Sequence, residues 1–161
     1  MKVKNILFED FTDYKKTCML IGTCYCDWKC CIENNLPIST CQNCKLAQAP
    51  EIEVSADEIF RRYSQNPFTH ALCFAGLEPL KQKEDVYSVI KYFRDNGCDD
   101  DIVIYTGYYE HEIQDFIDRL KANFENIILK TGRFIPNQQP HYDEVLGVYL
   151  ASDNQKGVQI C

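Results

Sequence analysis

Short apolar stretches alternate along this chain with longer amphipathic ones, and this alternation constrains the fold more than any other feature. Residues 17–22 and 70–75 read as buried strands, the second stopped by Gly76. Residues 101–105, carrying Ile102-Val103-Ile104, give a third strand; residues 126–130 and 144–150 give a fourth and a fifth. Between them, Ser55-Ala56-Asp57-Glu58 has the order of a capping box and opens a helix whose Ile59, Phe60 and Tyr63 face a core. Residues 82–95 set Val86, Val89, Ile90 and Phe93 at core-facing helical spacing and end at Asn96-Gly97. Residues 110–122 do the same with Ile113, Phe116, Ile117 and Leu120. Residues 132–142 read as a loop containing Pro136 and Pro140, and the tail from Ser152 is polar until Val158 and Ile160. Strands that alternate with helices predict an α/β fold with a mostly parallel sheet.

A chain of 161 residues fits one domain with its own core, and it is too short for a complete eight-unit barrel, which needs about 250 residues. The net charge of -7 speaks against non-specific binding to nucleic acid or to an anionic membrane. No apolar run approaches the roughly 18 residues of a membrane span. The first residues, Met1-Lys2-Val3-Lys4-Asn5, are soon followed by Glu9 and Asp10 and hold no apolar signal-peptide stretch, so a cytoplasmic location is expected.

Cysteine is over-represented. There are 10, and six fall between Cys24 and Cys44: Cys24, Cys26, Cys30, Cys31, Cys41 and Cys44. With no export signal expected, metal binding explains such a cluster better than disulfides do. Thiolates are soft ligands that suit zinc or iron–sulfur clusters. Cys26 and Cys30 are spaced to share one face of a helical turn, while Cys41 must be carried back by the residues between. Spacing alone leaves two assignments open. One is an iron–sulfur cluster on Cys26, Cys30 and Cys41; the other is a zinc ion on Cys26, Cys30, Cys41 and Cys44, in which case the chain is a zinc-stabilised binding or regulatory module. Cys24 or Cys31 can replace a member of either set.

Position adds to this. The cysteine segment follows the first expected strand, Gly76-Leu77-Glu78-Pro79 the second, Thr106-Gly107-Tyr108 the third, Thr131-Gly132-Arg133 the fourth and Ser152-Asp153-Asn154-Gln155 the fifth. In parallel α/β folds, binding sites gather at the carboxyl ends of strands.

Five motifs in order then carry a resemblance: Cys26-Asp27-Trp28-Lys29-Cys30 with Cys41-Gln42-Asn43; Gly76-Leu77-Glu78-Pro79; Ile104-Tyr105-Thr106-Gly107-Tyr108; Thr131-Gly132-Arg133-Phe134; and Ala151-Ser152-Asp153-Asn154-Gln155. Over residues 17–156 the chain resembles the radical S-adenosylmethionine superfamily, and within it the small activating proteins of anaerobic ribonucleotide reductase. The usual signature there is CxxxCxxC. Here the third cysteine is displaced by an insertion, and the standard spacing falls on Glu33, a hard oxygen ligand. The GGEP segment of the family is altered in its first half, since Ala75 precedes Gly76 and Leu77 separates Gly76 from Glu78.

The resemblance implies an incomplete parallel (βα) barrel of about five or six units, forming a single domain over residues 1–161 with its cluster-binding segment at 24–44. It implies a [4Fe-4S] cluster on Cys26, Cys30 and Cys41, with one iron free to chelate S-adenosylmethionine. Reductive cleavage then gives methionine and a 5'-deoxyadenosyl radical, fed by an external one-electron donor. In the closest family that radical takes a hydrogen from a glycine of a partner, a glycyl-radical reductase; a small molecule or another peptide is the other class of target. The residues implied at the cofactor are Asn43, Gly76, Glu78, Pro79, Tyr105, Thr106, Gly107, Arg133 and Asn154, with Glu78 accepting from the methionyl ammonium. Cys18 and Cys73 lie in apolar strand patterns and read as core, Cys98 and Cys161 stay unassigned, and His70, His111 and His141 form no triad or metal spacing.

Overall fold

The structure, a computed structural model, describes residues 1–161. Nine strands are present: β1 (Lys2–Asp10), β2 (Cys18–Thr23), β3 (Ile52–Glu53), β4 (Ala71–Gly76), β5 (Asp101–Tyr105), β6 (Ile127–Thr131), β7 (His141–Asp143), β8 (Val148–Leu150) and β9 (Lys156–Gln159). The helices are α1 (Lys29–Ile32), α2 (Cys44–Ala47), α3 (Ala56–Ser64), α4 (Lys83–Asp95) and α5 (Gln114–Asn123). Seven strands make one sheet in the order β3-β1-β2-β4-β5-β6-β9, and β7 and β8 make a separate hairpin. The central strands β2, β4, β5 and β6 are mutually parallel, while β1, β3 and β9 add antiparallel edges on both sides. No helix is long and apolar enough to cross a membrane.

Both faces of the parallel strands are covered, which is why they read as unbroken apolar runs. On one face Met19, Ile21, Leu72, Phe74, Ile102, Ile104 and Ile127 meet Ile59, Val86, Ile90, Phe93, Ile117 and Leu120 from α3, α4 and α5. On the other, Cys18, Leu20, Ala71, Cys73, Val103 and Ile128 meet Tyr14 from the β1–β2 loop and Leu146 and Leu150 from the β7–β8 hairpin. The expected helices are all present. Ser55 caps α3 by accepting from the Glu58 backbone N–H at 3.1 Å.

Three departures from the sequence reading shape the site. Residues 144–150 are not one strand. The Asp143 carboxylate accepts from the Leu146 N–H at 2.8 Å and its carbonyl from the Gly147 N–H at 2.7 Å, closing a turn on Gly147 (φ 73) that folds β8 back on β7. The N-terminal residues form β1 because β2 offers a free edge. Their charged side chains hide this in the sequence, and Leu7 and Phe8 stay exposed. The polar tail forms β9 by pairing antiparallel with β6.

Candidate metal centre

β2 delivers the cysteine segment to the carboxyl end of the sheet. Cys24 is buried there, its N–H donating to Gln82 Oε1 at 2.8 Å. Trp28 then takes a left-handed backbone (φ 58), which is unusual for a bulky side chain, and its N–H donates to Cys26 Sγ at 3.3 Å. The chain turns directly into α1, which holds Cys30. Cys41 returns after a short helical turn at Ile38–Thr40, and Asn43 fixes the return by donating from Nδ2 to the Gly76 carbonyl at 2.5 Å.

The result is a cavity of about 520 Å3 on which Cys26, Cys30 and Cys41 all border. That volume lies within the range of sites for small organic ligands, about 300–1,000 Å3. Cys44 does not join them; its thiol points to the Ser39 carbonyl at 3.7 Å. Cys24 lies outside the cavity wall, and Cys31 is buried with its sulfur 3.9 Å from that of Cys30. The four-cysteine zinc set is therefore not assembled, and no three His, Cys, Asp or Glu side chains converge on a point that would hold a single ion. The thiols differ in ease of ionisation. The hydrogen bond from Cys30 draws Cys41 down and pushes Cys30 up, while burial raises Cys26 to about 11.

The carboxyl ends of β4, β5 and β6 supply the rest of the wall: Gly76 and Glu78, Tyr105 to Gly107, and Lys130 and Gly132. Gly76 has φ 87, and a Cβ there would come within 3.0 Å of Gly22 Cα and Leu46 Cδ2, so only glycine fits. Glu78 is 5% exposed. Its Oε1 accepts from the Leu80 N–H at 3.0 Å and the Thr106 hydroxyl at 2.8 Å, and its Oε2 from the Gly107 N–H at 2.8 Å. A carboxylate has about four acceptor positions, so one on Oε2 stays free. Burial still raises its proton affinity despite those three donors.

Lys130 was not singled out from the sequence. The residue is 7% exposed on the cavity wall, and its ammonium donates only to the Gly132 carbonyl at 3.1 Å and keeps two N–H groups unused. Burial pushes it down to about 8. Strand alternation was the available signal, since residue 130 must share the inner face with Ile128.

The remaining expected cofactor residues are placed differently. Pro79 is buried in the helical turn Pro79–Gln82, behind Glu78, and does not border the cavity. Arg133 is 4% exposed and stands outside the main cavity. It donates to Glu112 at 2.6 and 2.8 Å, to Glu33 at 2.8 Å and to the Gly107 carbonyl at 3.2 Å, and it lies over the Tyr109 ring. The residue at the position of the usual third cysteine, Glu33, is thus engaged in an ion pair. Asn154 also lies outside the cavity; it donates to the Arg133 carbonyl at 2.9 Å and to the Tyr109 hydroxyl at 3.2 Å, and its Oδ1 is buried without a partner.

Three soft thiols on one wall of a cavity wider than a single-ion site suit a polynuclear iron–sulfur group better than a lone metal ion. No curated protein and no solved structure matches the chain. The 4Fe-4S single cluster domain family does, over residues 17–156, a span that contains every cavity-wall motif from Cys26 to Gln155. With the donors and the match in agreement, this chain is an iron–sulfur protein and belongs to the 4Fe-4S single cluster domain family.

Proposed function

We propose that Cys26, Cys30 and Cys41 hold the [4Fe-4S] cluster and that the adjoining cavity binds S-adenosylmethionine for reductive cleavage. When bound and reduced, a cluster with one iron free of protein ligands supplies the electron that splits the sulfonium carbon–sulfur bond into methionine and a 5'-deoxyadenosyl radical. The observation that carries the proposal is the charge pattern beside the thiols. A buried carboxylate with one free acceptor position and a buried ammonium with two free donors border one cavity, as a zwitterionic amino-acid group requires.

Each residue then has a physical task. Glu78 receives the methionyl ammonium, held in aim by Thr106 and Gly107. Lys130 faces the methionyl carboxylate. Gly76 lets β4 pass close against Gly22 and Leu46, where a Cβ would not fit, and Asn43 ties the Cys41 loop to its carbonyl. Arg133 and Asn154 brace the wall from behind. Tyr105 closes the cavity side by donating its hydroxyl to the Asp13 carbonyl. Such a wall orients the sulfonium and keeps water from the radical. In this reading the four parallel strands with α3, α4 and α5 are the centre of an incomplete parallel (βα) barrel, and an external one-electron donor feeds the cluster. The target is a glycine of an anaerobic ribonucleotide reductase, on the strength of the resemblance over residues 17–156.

Anaerobically reconstituted protein reduced with dithionite should convert S-adenosylmethionine to 5'-deoxyadenosine and methionine. A fully loaded cluster that yields neither product would refute the proposal. Transfer to a reductase is read as a glycyl-radical doublet in electron paramagnetic resonance.

A further inference from the structure

The loop between β1 and β2 carries a carboxylate into the cavity that the function above does not use. Asp13 is pinned through its main chain: its N–H donates to Asp10 Oδ2 at 2.9 Å, and its carbonyl accepts from the Tyr105 hydroxyl. The next residue, Tyr14, is buried and donates to Asp101 Oδ2 at 2.8 Å. Asp101 begins β5, so the loop is anchored toward the amino ends of the parallel strands, opposite the ends that present the cysteines and Glu78. Asp13 borders the cavity from this loop.

No backbone N–H, hydroxyl or ammonium group donates to that carboxylate. Its neighbour Asp10 is itself occupied by the Thr12 N–H, the Thr12 hydroxyl and the Asp13 N–H. Burial, the Asp10 charge and a hydrogen bond shared with the Asp10 carboxyl push Asp13 up to about 6, with Lys130 pulling the other way. A carboxyl group fixed through its main chain and bonded only to the neighbouring Asp10 keeps an acceptor oxygen for a ligand group on the wall of a ligand-sized cavity.

We propose that Asp13 is a second polar anchor of this cavity, receiving hydroxyl or amide N–H donors from the group that fills the cavity beside it. The proposal rests on the cavity's binding S-adenosylmethionine through Glu78 and Lys130. Two sources share the chemistry: the ribose hydroxyls of the adenosyl half, and backbone N–H groups of a peptide substrate.

Isothermal titration calorimetry on the cluster-loaded chain separates them. L-Methionine is titrated first to fill the Glu78–Lys130 end, followed by 5'-deoxyadenosine or N-acetylglycine methylamide. The native chain is expected to bind at least one of the two second probes. Asp13→Ala should weaken that probe by about tenfold or more, the scale of a lost hydrogen bond to a charged group, and leave L-methionine unchanged. The affected probe identifies the source. If both probes bind the variant as they bind the native chain, or the native chain binds L-methionine but neither probe, the proposal is overturned. If the native chain does not bind L-methionine, the cofactor assignment itself falls and takes this one with it. Should Asp13→Ala fail to fold, Asp13→Val removes both acceptor oxygens and carries the same comparison.

Discussion

Replacing Arg133 with Met should cost this chain far more than replacing the residue it grips most visibly from the cluster loop. The guanidinium is 4% exposed and holds two carboxylates, those of Glu112 (19% exposed) and Glu33 (48% exposed). Removing one partner of a buried ion pair costs about 3–5 kcal/mol, because the other charge is left without compensation. Glu33 is half in water and Glu112 keeps Lys29 at 3.0 Å, so the lower end applies, about 3 kcal/mol. At about 2–4 °C per kcal/mol, the melting temperature should fall by about 6–12 °C. Glu33→Gln removes only a half-exposed charge and should cost about 1 kcal/mol or less. Arg133 also holds the Glu112 carboxyl well below the usual carboxylate range. A depressed carboxylate stabilises above its unfolded value and loses that contribution as pH falls through the folded one. The deficit of the Met variant should therefore be full at pH 7 and shrink in acid. Calorimetric melts of the two variants and the native chain at pH 7 and in acid test this. Equal melting of Arg133→Met and native protein at pH 7 would refute this role of the buried ion pairs, as would a larger loss for Glu33→Gln.

Other outcomes follow from the same geometry. Cys44→Ser should keep full iron and acid-labile sulfide content, whereas Cys41→Ser should lose the cluster. Glu78→Gln should weaken S-adenosylmethionine binding by about tenfold to a hundredfold, the worth of a charge-assisted hydrogen bond, as read by equilibrium dialysis. Burial raises Asp13 from 3.8 to about 6, so the folded chain loses stability as pH rises between those values. Asp13→Asn should match the native chain near pH 4 and exceed it at pH 7.5, by up to about 3 kcal/mol in urea unfolding. No stability gain above pH 6 would contradict the buried carboxylate.

The parallel strands and their helices were legible because burial on both faces leaves an unbroken apolar run and burial on one face leaves a 3.6-residue period. β5 begins at Asp101 and ends at Tyr105 as expected, and Val86, Val89, Ile90 and Phe93 face the core. β1, β9 and the β7–β8 hairpin were not legible, because mixed polar edges take their shape from the strand they meet. At the site, cysteine spacing pointed to Cys26, Cys30 and Cys41, but only the fold shows Cys44 turned away. Arg133 looked like a ligand for the cofactor because its partners lie 21 and 100 residues away in sequence, at Glu112 and Glu33. Lys130 and Asp13 carried no motif; a lone charge at the end of a strand or in a loop usually faces water, and it is the cavity that gives these two their meaning.

In the proposed function, three thiols leave one iron of the cluster open to a ligand from the cavity. Electron paramagnetic resonance of the reduced, reconstituted protein tests it most directly. Adding S-adenosylmethionine should change the cluster signal in the native chain and in Cys44→Ser. A signal unmoved by saturating S-adenosylmethionine, in a sample holding a complete cluster, would contradict it.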